Sequence, residues 1–168
     1  MAYVAPKHCG HCGGALSSVD HQQNQLACVG ACGTITYLSP TPVVAAIVEC
    51  GAGVVLVRGH GWPEEWFGLV TGFLERNEEP QAAILREVRE ELGLDGHVER
   101  MIGVYSYMEM NQIILAFHVS ASGAIRLQHE ELAAFKIVPL ADLQPWEFGT
   151  GLAVRDFLRT SRGEEARN

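Results

Sequence analysis

The run Gly72-Phe73-Leu74-Glu75-Arg76-Asn77-Glu78 is followed, after seven residues, by Arg86-Glu87-Val88-Arg89-Glu90-Glu91-Leu92-Gly93-Leu94. The intervening text predicts a helix over Glu79 to Leu92. Pro80 stands where a first-turn proline belongs, Gly93 sits just past the end, and no β-branched run interrupts. At ~100° per residue, Ile84, Leu85, Val88 and Leu92 share one arc of ~100° that must be buried. Glu87, Glu90 and Glu91 share a second arc of similar width, centred away from the first. Like charges at these spacings destabilise a helix by roughly 0.2–0.5 kcal/mol per pair, and glutamates near its C-terminus oppose the macrodipole. Arg86 and Arg89 read as lying to one side of the cluster. A hard divalent cation would relieve the repulsion better, because Mg²⁺ prefers oxygen ligands. A solvated acidic face is the competing reading of the helix taken alone.

Outward from this helix the text is mostly strand. Val43 to Glu49 and Val54 to Arg58 are β-branched runs separated by Cys50-Gly51-Ala52-Gly53, the pattern of a hairpin. Trp66 to Val70, Val98 to Tyr107, Gln112 to Ser120 and Phe135 to Val138 read as further strands. Gly151 to Arg159 reads as a closing amphipathic helix. Strands, helix, strands, helix predict an α+β domain or a layered α/β/α one.

The first forty residues differ. They are rich in Gly, Cys, His and Gln, poor in charge, and too weakly periodic to bury a core. Ser39-Pro40-Thr41-Pro42 reads as a stiff linker, since each proline fixes its own φ and disfavours helix before it. The predicted division is therefore 1–40 and 41–168. Four of the five cysteines fall in this first part as Cys9-Gly10-His11-Cys12-Gly13 and Cys28-Val29-Gly30-Ala31-Cys32-Gly33. A glycine after each second cysteine lets the backbone turn its N–H groups toward the thiolates. Two such turns can close a tetrahedral Zn²⁺ site, which would supply the folding free energy that so short a segment lacks. This predicts a small zinc ribbon with Cys9, Cys12, Cys28 and Cys32 as ligands. His8 and His11 lie close enough to substitute, and redox cysteines or disulfides are the rival readings. Cys50 reads as a small buried residue at a strand end.

Composition narrows the function. The 168 residues suit one compact domain plus an appendage, with 48% apolar residues for a real core. With 12 basic against 20 acidic residues the net charge is −8. That balance speaks against an extended nucleic-acid partner or a membrane surface, both of which need a basic footprint. It does not speak against an anionic small substrate, because clustered carboxylates holding a divalent cation invert the local sign of charge. The residues after Met1 lack the apolar core of a signal peptide, and the longest apolar run, Val43 to Val48, is too short to span a bilayer. Together with the paired cysteines this predicts a cytoplasmic setting.

The two quoted segments resemble the Nudix hydrolase signature: a glycine, five residues, a glutamate, seven residues, then Arg-Glu-apolar-x-Glu-Glu-x-Gly-apolar. Every fixed position of that pattern is filled. The resemblance implies a Nudix-type α/β/α sandwich with a mixed sheet, and metal-dependent cleavage of a pyrophosphate linkage. It implies Mg²⁺ or Mn²⁺ held by Glu87, Glu90, Glu91 and the carbonyl of Gly72. Arg86 would orient a ligand carboxylate, and Glu78 would support the helix start or the metal shell. In many members a glutamate outside the signature serves as general base. The text His129-Glu130-Glu131-Leu132 resembles that place, with Glu131 the first choice and Glu130 the second.

A zinc ribbon directly before such a domain resembles the branch of NADH pyrophosphatases and related flavin or ADP-ribose pyrophosphatases. This implies a dinucleotide such as NADH or FAD, or ADP-ribose, as substrate. Two features differ from the NADH members. Their larger N-terminal domain is not part of this sequence. Their Ser-Gln-Pro-Trp-Pro-Phe-Pro run is replaced by Ser106-Tyr107-Met108-Glu109-Met110-Asn111-Gln112. Gln144-Pro145-Trp146-Glu147-Phe148 echoes those letters some forty residues late and reads as a loop with a packing tryptophan.

Aromatic rings would stack a base or nicotinamide. Trp66, Phe67 and Tyr105 are the first candidates, with Trp62 and Tyr107 behind them, against a reading of each as core. His21, His60, His97 and His118 have no partner pattern and read as surface or packing residues. The alternatives within the family are nucleoside triphosphates, sugar nucleotides and capped RNA 5′ ends. Outside it stands a non-catalytic ligand-sensing or interaction module, which would be expected to lose signature glutamates. Three roles stay open for the ribbon: purely structural, docking a partner, or forming a homodimer.

Overall fold

The structure is a computed structural model and describes residues 2–19, 24–30, 32–128 and 130–161; His21 and His129 lie outside them. It divides into two compact units, one of Met1–Thr41 with Met108–Asn111, the other of Pro42–Tyr107 with Gln112–Asn168.

The larger unit contains a six-stranded sheet. Its strands are β4 (Thr41–Cys50), β5 (Gly53–Gly59), β6 (Val70–Phe73), β7 (Asp95–Tyr107), β8 (Gln112–Ser122) and β9 (Leu132–Pro139). They run in the order β7-β8-β4-β5-β9, and β6 pairs with β4. The hairpin expected around Gly51-Ala52 forms, with Cys50 opposite Gly53. β4 reads as an unbroken apolar run because both its faces are covered. Val44, Ala46, Val48 and Cys50 join the cluster under helix α1 (Pro80–Leu92). Val43, Ala45 and Ile47 join the opposite cluster under helix α2 (Gly151–Ser161). The same alternation on β5 sends Val55 and Val57 to the first cluster, and Val54 and Leu56 to the second. Helix, mixed sheet and helix form the expected α/β/α sandwich. Among the described residues no helix is long and apolar enough to cross a membrane.

Three local expectations change. The expected stiff linker Ser39 to Pro42 runs into the sheet, because β4 begins at Thr41. Pro42 stands second in the strand, a position that tolerates a missing N–H. Trp66 to Val70 is not a strand. Trp66 N–H turns back to the Pro63 carbonyl, Gly68 alone bridges to Val57, and the ladder starts at Val70. His118 is more than a packing residue. Its ring lies 5.0 Å from that of Phe157, and its Nε2 is 2.5 Å from Glu49 Oε2. The Trp146 expectation holds, since that side chain packs against the α2 cluster.

The smaller unit is built on three short antiparallel strands, β1 (Leu16–Ser18), β2 (Gln25–Cys28) and β3 (Ile35–Tyr37). The sequence shows no strand period here because runs of three or four residues are too short to display one. Met108–Asn111 belongs with this unit through Tyr3 N–H to the Glu109 carbonyl (2.8 Å) and Thr41 N–H to the Asn111 carbonyl (2.8 Å).

Candidate metal centres

In the smaller unit the four cysteines converge. Their sulfurs all lie within 4.8 Å of one another. Cys9–Cys32 is 3.8 Å, Cys12–Cys28 is 3.4 Å and Cys12–Cys32 is 3.3 Å. A tetrahedron with Zn–S bonds of ~2.3 Å has edges of about 3.8 Å, so the set fits that ion. All four are free thiols. Gly13 and Gly33, the glycines after each second cysteine, have φ of 73° and 64°, the left-handed turn that the pairs require. The Thr34 hydroxyl, bonded to the Cys32 sulfur at 3.3 Å, holds that thiol down to about 6. Crowding against Cys32 pushes Cys28 up to about 12. Four sulfurs this close cannot all ionise without a cation among them.

In the larger unit the carboxylates gather where α1 meets β6. The buried side of α1 is Ala83, Ile84, Glu87, Val88, Glu91 and Leu92. The sequence expectation of an apolar arc and a separate acidic one is thus half right. Leu85 is only partly buried, and the row Ala83, Glu87, Glu91 turns inward in its place. The reason is Gly72. A Cβ there would stand 1.9 Å from the Glu87 carboxylate, so the absence of a side chain is what admits Glu87 against the β6 backbone. Glu87 is 9% exposed and Glu91 6%, whereas the Glu90 side chain is 58% exposed.

Arg86 does not lie beside this cluster, as the wheel implied, but in it. Its Nε and Nη2 grip both oxygens of Glu78 at 2.9 and 3.0 Å. Its Nη1 donates to Glu87 at 2.7 Å and to Glu90 at 3.0 Å, and its Nη2 also reaches the Phe73 carbonyl at 3.2 Å. A helical wheel places Cα atoms, whereas a long guanidinium fork reaches the neighbouring residue and the next turn alike. Arg89 turns away to Asp95 at 2.9 Å.

Charge separates the glutamates. The hydrogen bonds from Arg86 hold Glu78 below the usual carboxylate range. Burial pushes Glu87 up, against the pull of Arg86. Glu91 has no such partner. Burial, then the charges of Glu87, Glu131 and Glu90, push it up to about 8, and its Oε2 is enclosed without a hydrogen bond. An enclosed, unpartnered carboxylate oxygen among other carboxylates is what a cation would satisfy. Glu87, Glu90 and Glu91 with the Gly72 carbonyl are the residues that can hold one.

Glu131 acts electrostatically on both Glu87 and Glu91, and Glu130 before it is exposed. Sequence reasoning missed how this loop is held. Arg126 and Gln128 donate their N–H groups to the Leu92 and Glu91 carbonyls, at 2.8 and 2.9 Å. The signal available was Gly93, which ends α1 and leaves its last carbonyls seeking donors.

The aromatic candidates scatter. Trp66 is 54% exposed, with its ring 6.4 Å from that of Phe148. Phe67 packs against the α2 cluster. Tyr105 lies on that same face and donates its hydroxyl to Asp156 at 3.0 Å; Tyr107 also packs there. Trp62 stacks over Gly59 and Gly68.

Comparison with known proteins adds an independent line. The NUDIX domain matches residues 39–157, most of the chain. The NAD-capped RNA hydrolase NudC of Pseudomonas aeruginosa (strain LESB58) is 29% identical over 140 residues, covering 83% of this chain and 50% of that protein. The protein of the same name from Mycobacterium tuberculosis (strain ATCC 25177 / H37Ra) is 36% identical over 78 residues, 46% of this chain and 25% of that one. The chain thus spans about half or less of the length of these curated relatives. The crystal structure of a NUDIX hydrolase from Nitrosomonas europaea has the same fold, with a TM-score of 0.69 at 23% identity and 97% of each chain covered. With the domain matched over most of its length and that fold in place, the chain belongs to the Nudix family.

Proposed function

We propose that this chain hydrolyses a pyrophosphate linkage joining a nucleoside diphosphate to another moiety, with a dinucleotide such as NADH or FAD, or ADP-ribose, as substrate. The observation that carries the reading is the buried, unpartnered Glu91 beside Glu87, Glu90 and the side-chain-free Gly72. These four residues would hold Mg²⁺ or Mn²⁺, with the Gly72 carbonyl as one donor. Such ions neutralise phosphate charge and lower the pKa of an attacking water. Arg86 acts as the positioning residue, fixing Glu87 and Glu90 while Glu78 anchors its other edge. Glu131 takes the proton of the water that attacks phosphorus. The bond from that phosphorus to the bridging oxygen breaks, and a phosphate ester leaves. Trp66, exposed and braced by Phe148, is the ring assigned to stacking on the base or nicotinamide, whereas the Tyr105 hydroxyl is already committed to Asp156.

A second reading has a specific observation behind it. The curated relatives are named for NAD-capped RNA, in which the same linkage sits at an RNA 5′ end. In the smaller unit the cysteine geometry supports a structural Zn²⁺ on Cys9, Cys12, Cys28 and Cys32. Free thiols arranged this way suit a reducing, cytoplasmic setting. The test is hydrolysis of NADH, NAD, FAD, ADP-ribose, sugar nucleotides, nucleoside triphosphates and an NAD-capped oligonucleotide, with Mg²⁺ or Mn²⁺ and with chelator. Release of a nucleoside monophosphate that stops in chelator supports the reading. Turnover that survives chelation, or silence across the panel, would count against it.

A further inference from the structure

Away from the carboxylates, on the α2 face of the sheet, two cations converge on one ring. Lys136 Nζ stands 4.3 Å from the centroid of Phe67, and the Arg58 guanidinium carbon 5.9 Å from the same centroid. The register explains the meeting. Leu56 pairs with Lys136 and Arg58 with Ala134 on β5 and β9, so Arg58 follows Leu56 onto the face where Phe67 packs. Neither cation has a carboxylate within 4.0 Å among the described residues. Arg58 is half-buried, its Nε is enclosed by protein, and that donor meets no acceptor.

This is unusual in a chain of net charge −8, where acidic partners outnumber basic ones. Lys7, Arg76 and Arg126 are exposed cations, open to solvent. Arg58 is different, because a half-enclosed guanidinium normally finds acceptors for its fork. The ring of Phe67 offers its face to both cations but accepts no full charge. What the pair lacks is an anion. Gly59, next to Arg58, pairs with Leu132, which follows Glu131, and Lys136 lies four residues further along β9, ~13 Å at strand rise.

We infer that Arg58 and Lys136, seated on Phe67, form a phosphate subsite for a substrate that carries a phosphate beyond the hydrolysed pyrophosphate. The inference rests on the nucleotide reading above and deepens it. A planar fork beside a mobile ammonium suits a tetrahedral phosphate oxyanion. The same chemistry arises as a 3′-phosphodiester, the next linkage of an RNA chain, or as a 2′- or 3′-phosphomonoester of a small dinucleotide.

The test is equilibrium binding, which does not depend on turnover. Full-length protein with Mg²⁺ is titrated with adenosine 5′-monophosphate, adenosine 2′,5′- and 3′,5′-bisphosphate, and the dinucleotide pApA. The extra phosphate is expected to tighten binding about tenfold over the monophosphate. Lys136→Ala, at an exposed position, is expected to shrink that contrast to under twofold, and Lys136→Glu to reverse it. Preference for pApA assigns the site to a chain phosphodiester, and preference for a bisphosphate to a phosphomonoester. Equal binding of all four ligands, or a contrast that survives Lys136→Glu, overturns the subsite alone. No binding of any of the four overturns the nucleotide reading along with it.

Discussion

The four cysteines of the smaller unit and the glutamates of the larger one pose the same electrostatic problem, and the protein answers it differently in each. Around the thiols there is little else: three strands of three or four residues, and no side-chain cation among the described contacts. Around the carboxylates there is a finished core. Ile84, Val88 and Leu92 are fully buried, and Arg86 already compensates Glu78, Glu87 and Glu90. On the proposed reading, an ion in the first cluster would hold its fold together. The second is held by packing and one arginine, and leaves Glu91 uncompensated. An ion that makes the structure and an ion that serves a reaction would thus leave different marks on the chain around them.

The comparison breaks most visibly at the cysteines. Structural zinc carries ~10 kcal/mol or more of apparent binding free energy in a small site at pH 7. Cys12→Ser is expected to drop bound zinc well below one equivalent by elemental analysis and to expose β1 to β3 to rapid amide exchange. Wild-type protein that binds no zinc would remove this half of the contrast. Next comes Glu91→Gln. Loss of a ligand should exceed the ~10–100-fold typical of an outer partner, with the thermal midpoint in chelator equal to or above that of wild type. Near-normal metal-dependent turnover in this variant would sink the assignment.

Arg86→Ala sharpens the claim that packing and one arginine hold the carboxylates. It leaves partly buried acids unpaired and is expected to cost about 2–3 kcal/mol in chelator. Mg²⁺ should restore part of that, read from denaturant unfolding with and without the ion. A variant as stable as wild type would show that Arg86 is not the compensating group.

The smallest effect is a pH slope. Folded Glu91 keeps its proton up to about 8, whereas an unfolded glutamate releases it near ~4.3. Between those values the folded state binds more protons. In chelator, stability should therefore be greatest at the acid end of this window and fall as pH rises, by at most ~1.4 kcal/mol per unit. Saturating Mg²⁺ should flatten the slope. No slope from this group across that window, isolated by comparison with Glu91→Gln, would show that Glu91 is ionised in the empty site.

Much of this was legible in the order of residues. α1 runs from Pro80 to Leu92 because proline, apolar spacing and Gly93 all act within a few residues of one another. β4 and β5 were legible because strands covered on both faces must be apolar throughout. The strand expected at Trp66 failed because aromatic content mimics a strand, while a turn at Pro63 decides the path. The proline pair at Pro40 and Pro42 suggested a linker because local stiffness does not reveal that a sheet begins there.

Sequence by itself determined which side chains would have to meet: four cysteines with a glycine after each second one, and glutamates at i, i+3 and i+4 after a spaced glycine. Those requirements are local, set by helix period and turn geometry. Only the tertiary structure decided that Glu87 and Glu91 turn inward, Glu87 over Gly72, that Arg86 stands among the acids, and that the charge of Glu131 acts on them from a loop tied to the end of α1. It alone brought Arg58 and Lys136 to the ring of Phe67. Burial and charge compensation depend on atoms far apart in the chain, and no local pattern encodes the space that a missing side chain leaves.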